Sequence, residues 1–291
     1  MVIISSAFFR ERWHIIVAFT LIFIGSISAL IVYDRYTSTE NDFTEDFEYY
    51  FNFNEPKKTI YYIGIEDTDY PPLLMHRGDV LTGLDIDIIS WIAEERNIDI
   101  AFILIPWEHI FDALRNGEID MIMTGASITP ERLEVFLFSD PYLTSDQVIV
   151  ISLDKSLSIQ DFYEGRGRIG VEAGTTSEDL VFDTLVKPSI ADPSFVHTFT
   201  GIKIAADAIV NDEIDYLVTD FLVAVSLKKE YSLKMIGSIS TGEAYGIVFR
   251  KDDIWLRQAM NIGLKRLFKS SDWDAVLHKW YKIYSHLSKR N

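Results

Sequence analysis

The chain has 291 residues, a formal net charge of −17 and no cysteine. That charge excludes a nucleic-acid binder, which needs a basic face, and argues against docking on anionic lipid. The lack of cysteine excludes disulfides, thiolate catalysis, cysteine metal sites and a lipid-modified N-terminal cysteine.

Residues 1–12 carry Arg10 and Arg12, and Trp13 to Tyr33 then runs without an Asp, Glu, Lys or Arg. Those 21 residues meet the ~20 that a helix needs to cross a bilayer. Arginines before the run and acids after it predict a cytoplasmic N-terminus, with the rest of the protein outside the membrane. A cleaved signal peptide, with secretion to the periplasm, is the alternative, because Ser26-Ile27-Ser28-Ala29 offers small residues. The apolar run continues through Val32, which favours an uncleaved anchor. Residues 34–58 read as a linker. From Asp34 to Pro56, seven acids and one arginine are interleaved with seven aromatics. That mixture predicts a solvated tether, with a partner-binding segment as the other reading.

Thr59–Ile65 is β-branched and aromatic, hence a strand. Pro71-Pro72 forbids helix in the turn that follows. Asp85 suits the cap of a helix in which Ile86, Ile89, Ile92 and Ala93 recur at helical spacing. Ile98–Ile105 is so apolar that a strand covered on both faces is predicted. Ile110, Phe111 and Leu114 mark a short helix stopped by Gly117, and Ile119–Thr124 a third strand. Thr129-Pro130 opens another helix, with Thr as N-cap and Pro in the first turn. In an open α/β sheet ligands sit beyond the carboxyl ends of strands, so the turn Thr124–Arg132 is where chemistry is expected.

A second lobe repeats the scheme. Arg168–Glu172 is a strand, Gly174-Thr175-Thr176 turns into a helix, Ile204, Ala205, Ala208 and Ile209 mark another helix, and Ile214–Thr219 is a strand ending at Asp220. Laid over each other without gaps, Ala113–Gly125 and Ala208–Asp220 share six of thirteen residues: Ala, Asn, Glu, Ile, Asp and Thr. The match predicts two similar lobes facing each other. Tyr245–Arg250 is strand-like. Two helical patterns, one with Leu256, Met260, Leu264 and Leu267, the other with Trp273, Val276, Leu277, Trp280 and Tyr284, close the chain and are expected to pack on the first lobe. The six histidines have no metal-ligand spacing, and no phosphate loop, nucleophile elbow or dinucleotide motif occurs. No metal or cofactor is expected.

Gly83-Leu-Asp-Ile-Asp87, Ile128-Thr-Pro-Glu-Arg132, Phe138-Ser-Asp-Pro-Tyr142, Ala173-Gly-Thr-Thr176 and Tyr245-Gly-Ile-Val-Phe-Arg250, in this order and with a closing Trp280-Tyr281, resemble the family 3 extracellular solute-binding proteins. These are the polar amino-acid receptors of ABC uptake systems. The resemblance implies an α/β fold of the two-lobed type II periplasmic-binding kind. Lobe one is expected at 59–141 plus 246–284, lobe two at 147–240, and the crossing hinge segments at 142–146 and 241–245. The implied function is a membrane-tethered, extracytoplasmic receptor, not an enzyme, that closes on an amino acid or similar polar solute and hands it to an ABC permease. Two alternatives stay open: a ligand sensor signalling through a partner, and a dehydratase-like enzyme with Glu172 as general acid.

A free amino acid presents a carboxylate and an ammonium, and both must be paired when water is excluded. Arg132 suits the carboxylate because its planar fork binds two oxygens. A cation in a first helical turn also stands against the helix dipole, which suggests a task. The Thr175 and Thr176 amides, opening a helix, suit the same carboxylate. The resemblance assigns the ammonium to Asp220, Ser127 and the Gly125 carbonyl, although Asp220 could instead cap the helix at 221–230. It places Trp107 and Tyr70 around the ligand side chain, where core packing is the plainer reading. Asp67 and Glu172 match positions lining the cleft; they could favour a cationic side chain or be ordinary solvated acids.

Overall fold

A computed structural model of the chain describes Lys58 and residues 60–281. The expected membrane segment Trp13–Tyr33, the stretch 1–12 and nearly all of the linker 34–58 lie outside those residues. Among the described residues, no helix is long and apolar enough to cross a membrane.

The strands run β1 (Tyr61–Glu66), a small hairpin β2 (Met75–Arg77) and β3 (Val80–Thr82), β4 (Ile100–Ile105), β5 (Met121–Ile122) and β6 (Phe136–Phe138). After them come β7 (Leu143–Ser152), β8 (Ile169–Glu172), β9 (Val196–Phe199), β10 (Tyr216–Asp220), β11 (Leu233–Tyr245) and β12 (Val248–Arg250). They form two five-stranded sheets, ordered β4-β1-β5-β12-β6 and β11-β7-β10-β8-β9, with helices between strands. The chain passes from the first sheet to the second between β6 and β7 and returns between β11 and β12. At the passage β7 and β11 pair antiparallel, Leu143 opposite Tyr245 and Ser145 opposite Glu243. Two short adjacent crossings are what a hinge between rigid lobes requires.

The internal repeat reappears in atoms. Asp120 Oδ2 accepts the Tyr62 amide at 2.8 Å, and its counterpart Asp215 Oδ2 accepts the Arg168 amide at 2.8 Å. In each lobe an isoleucine one residue before that aspartate leans on a strand glycine. A Cβ on Gly64 would stand 2.3 Å from Ile119 Cδ1, and one on Gly170 would stand 2.3 Å from Ile214 Cδ1. Overpacking of this kind costs about 1–3 kcal/mol. Gly64→Ala and Gly170→Ala are each expected to lower stability by that amount in urea unfolding; unchanged midpoints would show that the isoleucines swing aside freely.

The last two helices, Ile254–Lys269 and Ser271–Tyr281, pack against the helix Leu84–Arg96 of the first lobe. Trp280 Nε1 donates to Asp87 Oδ2 at 2.6 Å and Trp91 Nε1 to Asp272 Oδ2 at 2.9 Å.

Two local expectations change. β4 is a sheet edge, with Ile103 and Leu104 37% and 50% exposed. Its apolar run does not mean cover on both faces, since Ile103 and Leu104 point to opposite faces and both are exposed. The third strand shrinks from Ile119–Thr124 to Met121–Ile122, because Asp120 turns back to β1 and Thr124 faces the cleft.

Candidate functional site

Between the lobes lies a cavity of about 300 Å3, its open mouth included, a size for a small molecule and not for a polymer. The first lobe lines it with Glu66, Tyr70, Trp107, Thr124, Gly125, Ser127 and Arg132, the second with Glu172, Thr175, Thr176 and Asp220. All the residues singled out in the sequence meet here except Asp67. Successive side chains on a strand point to opposite faces: at the end of β1 the buried Glu66 faces inward and Asp67 is exposed. Glu66 is the lining residue that sequence reasoning missed, while Thr124 opens the turn where chemistry is expected. A one-residue choice at a strand end carries no signal in a single sequence.

The lobes touch over the cavity. Tyr70 donates its hydroxyl proton to Asp220 Oδ2, Trp107 Nε1 donates to the Gly174 carbonyl at 3.1 Å, and Lys203 Nζ to Asp69 Oδ2 at 3.0 Å. The conformation is therefore closed.

Arg132 is the third residue of the helix Pro130–Val135. That helix starts as its sequence dictates: Thr129 Oγ1 accepts the Arg132 amide at 3.2 Å, and proline occupies the first turn. The helix has only six residues, so its dipole says little about a cation there. Other features hold the guanidinium. It lies 5.4 Å from the Trp107 ring centre and 4.9 Å from that of Phe111. It donates to the Ser127 carbonyl at 3.0 Å and, across the cleft, to the Gly174 carbonyl at 3.3 Å. These bonds use two of its five N–H donors. Burial draws its pKa down, opposed by Glu243 and other acids, yet a guanidinium stays charged.

Asp220 begins the helix Phe221–Glu230 but makes no capping bond. Its oxygens take the Tyr70 hydroxyl and, at 2.8 Å, Gln147 Nε2. Burial, and then the charge of Glu243, push it up to about 7. Burial likewise raises the Tyr70 phenol well above its ordinary value. Thr175 caps the helix Thr176–Val181 and donates to the Glu172 carbonyl at 2.7 Å.

Gly125 adopts φ +67°, and a Cβ there would stand 2.7 Å from Leu73 Cδ1, so glycine is required. Its amide donates to Asp85 Oδ2 at 2.7 Å, and the Tyr142 hydroxyl donates to the same oxygen at 2.9 Å. Asp85 therefore does not cap the helix it opens. Fully buried and raised to about 7 by that burial, it ties the Gly125 turn to Tyr142, next to the start of β7.

Glu66 and Glu172 face each other across the cleft, 2% and 4% exposed, near enough to share a hydrogen bond. Burial raises Glu66 to about 7, and burial with the Glu66 charge raises Glu172 well above the carboxylate range. Among the described residues nothing donates to the buried Oε1 of Glu172. Facing carboxylates at this depth need a proton or a cation between them. Among the described residues no cluster of three or more acids or histidines suits a metal. A donor-bearing organic cation fits the pair better than a bare ion does.

The family model for bacterial extracellular solute-binding proteins, family 3, matches residues 62–283. A probable histidine-binding protein of Neisseria gonorrhoeae is 29% identical over 209 residues, covering 70% of this chain and 76% of that one. A putative ABC transporter arginine-binding protein of Escherichia coli is 25% identical, covering 74% and 88%. Among solved structures, an ancestral arginine-binding protein bound to glutamine aligns with a TM-score of 0.70 at 30% identity, covering 77% of this chain and 99% of that one. An ancestral amino acid-binding protein, described as a precursor of cyclohexadienyl dehydratase, aligns at 0.69 and 30% identity, covering 77% and 95%.

Proposed function

The chain belongs to family 3 of the bacterial extracellular solute-binding proteins, and from that premise we propose that it binds an amino acid with a cationic side chain. The observation that carries this reading is the Glu66–Glu172 pair. One carboxylate comes from each lobe, both are buried, and an oxygen of Glu172 awaits a donor. A guanidinium or ammonium between them neutralises the pair. At the other end Asp220 takes the α-ammonium, while Arg132 and the Thr175 and Thr176 amides take the carboxylate; Trp107 and Tyr70 flank the ligand. The histidine and arginine relatives support the same choice.

A panel of amino acids tested by thermal shift is the direct experiment, since a ligand that binds only the folded state raises its melting temperature. Arginine, lysine or histidine is expected to give the largest rise. A larger rise with glutamate or aspartate would overturn the cationic reading.

Within the same proposal, the uncharged run Trp13–Tyr33 behind Arg10 and Arg12 tethers the receptor to the membrane, with the binding lobes outside and an ABC permease as recipient. Recovery in the membrane fraction, with the lobes open to added protease, is the expected result; a soluble form beginning near Ala29 would replace the anchor by a cleaved signal. A second reading is favoured by one observation: Glu172, buried and with its pKa raised by that burial, has the makings of a general acid, and one structural neighbour is a dehydratase precursor. Turnover of a prephenate-like compound would decide for that enzyme; tight binding without turnover decides for the receptor.

A further inference from the structure

Glu243 lies on β11 in the passage between the lobes, is buried, and is not among the residues lining the cavity. Its carboxylate accepts the hydroxyl of Ser127 from lobe one, the hydroxyl of Thr176 from lobe two at 2.5 Å, and Gln147 Nε2 at 2.8 Å. Ser127 and Thr176 do line the cavity. A hydroxyl has one proton and two lone pairs, and a carboxylate can only accept. Both hydroxyl protons therefore point at Glu243, away from the ligand, and both oxygens offer the cavity lone pairs only. Gln147 is committed in the same sense. Its Nε2 also donates to Asp220 Oδ1 at 2.8 Å, and its Oε1 accepts from Ser177 at 2.7 Å.

We propose that Glu243 is a positioning residue that selects for the ligand's ammonium group. By drawing the Ser127 and Thr176 protons to itself, it leaves both oxygens as acceptors beside Asp220. The inference rests on the amino-acid reading above and goes beyond it. The Thr176 hydroxyl thus joins the ammonium site, while its backbone N–H stays with the carboxylate. An acceptor-only corner rewards a group with three donors and penalises one with none.

The test compares L-arginine with the same molecule lacking its α-amino group, by calorimetry on the full chain. The ratio of their affinities reads the ammonium site alone, because both carry the carboxylate and the guanidinium. Glu243→Gln keeps the volume but brings an N–H2 to this corner. Facing the hydroxyls, it turns one of their protons into the cavity; facing Gln147, it costs Asp220 that bond. Either way the preference for the amino-bearing ligand is expected to fall by about tenfold or more, while the des-amino ligand binds as before. Thr176→Val removes one acceptor without touching the hinge strand, keeps the test available if Glu243→Gln does not fold, and is expected to lower the ratio too. Equal weakening of both ligands by Glu243→Gln would make Glu243 a hinge strut and overturn the inference alone, as would an unchanged ratio in Thr176→Val. The same pairs are run with lysine and histidine, and failure of every pair to bind the parent chain would overturn the cationic amino-acid reading, and this inference with it.

Discussion

Arg132→Ala is expected to weaken amino-acid binding by about 2–5 kcal/mol, roughly 30-fold to several-thousand-fold. When the lobes close, a ligand carboxylate loses its water, and only a matched donor offsets that loss. Arg132 keeps three N–H donors after its bonds to the Ser127 and Gly174 carbonyls. The rings of Trp107 and Phe111 hold the guanidinium in place, so little ordering remains when a ligand arrives. One of its carbonyl partners belongs to the other lobe, so the substitution also loosens the closed form. Arg132→Lys is expected to recover only part of the affinity, since an ammonium cannot reproduce the planar fork or its stacking. Stability should suffer little, because the side chain is half-buried and one of its two carbonyl partners, that of Gly174, is open to water. Calorimetry with arginine, beside urea unfolding of the same variant, separates the two effects. An Arg132→Ala chain that binds arginine as tightly as the parent would remove the carboxylate assignment.

Much of the site was legible because its parts carry local chemistry. Thr129-Pro130 and Gly174-Thr175 are helix starts that any chain of this composition would form, and they deliver Arg132 and the Thr175 and Thr176 amides to the cleft. The repeated Asn-x-Glu-Ile-Asp was legible for the same reason, and the structure shows Asp120 bonded to the Tyr62 amide of β1 and Asp215 to the Arg168 amide just before β8. What stayed hidden depends on register or on distant contacts. Glu66 and Asp67 are neighbours with the same charge, and only the pairing of β1 with β4 and β5 decides which faces inward. Asp85 reads as a cap, and Asp220 could be one, yet both bond to groups across the fold. Their tertiary partners override the local preference. Glu243 gave no signal, because its partners Ser127, Thr176 and Gln147 come from three separate stretches.

Glu172→Gln is expected to weaken arginine binding by about 2–5 kcal/mol and to spare glutamine. In the closed parent, burial raises Glu66 to about 7 and, with the Glu66 charge, raises Glu172 well above its ordinary value, and facing buried carboxylates need a proton unless a cation replaces it. The two titrate as a unit. A complex with a neutral side chain therefore carries more protons than one with a guanidinium between the carboxylates. Raised pKa values mean that the protonated pair is favoured at low pH and lost as pH rises. The sign follows: neutral ligands hold best below about 7, and cationic ligands gain on them as pH increases. The affinity ratio of arginine to glutamine is expected to climb by up to about tenfold per pH unit from about pH 6 to about pH 8, the limit for a difference of one bound proton. An amide at 172 removes one acid, so the arginine preference should fall while glutamine binds nearly as before, and the slope that is left belongs to Glu66 alone. Calorimetry of both ligands across that range, in the parent and in Glu172→Gln, reads ratio and slope together. A flat ratio in the parent would show that no cation sits between Glu66 and Glu172, and a slope that survives in Glu172→Gln would assign the titrating proton to Glu66.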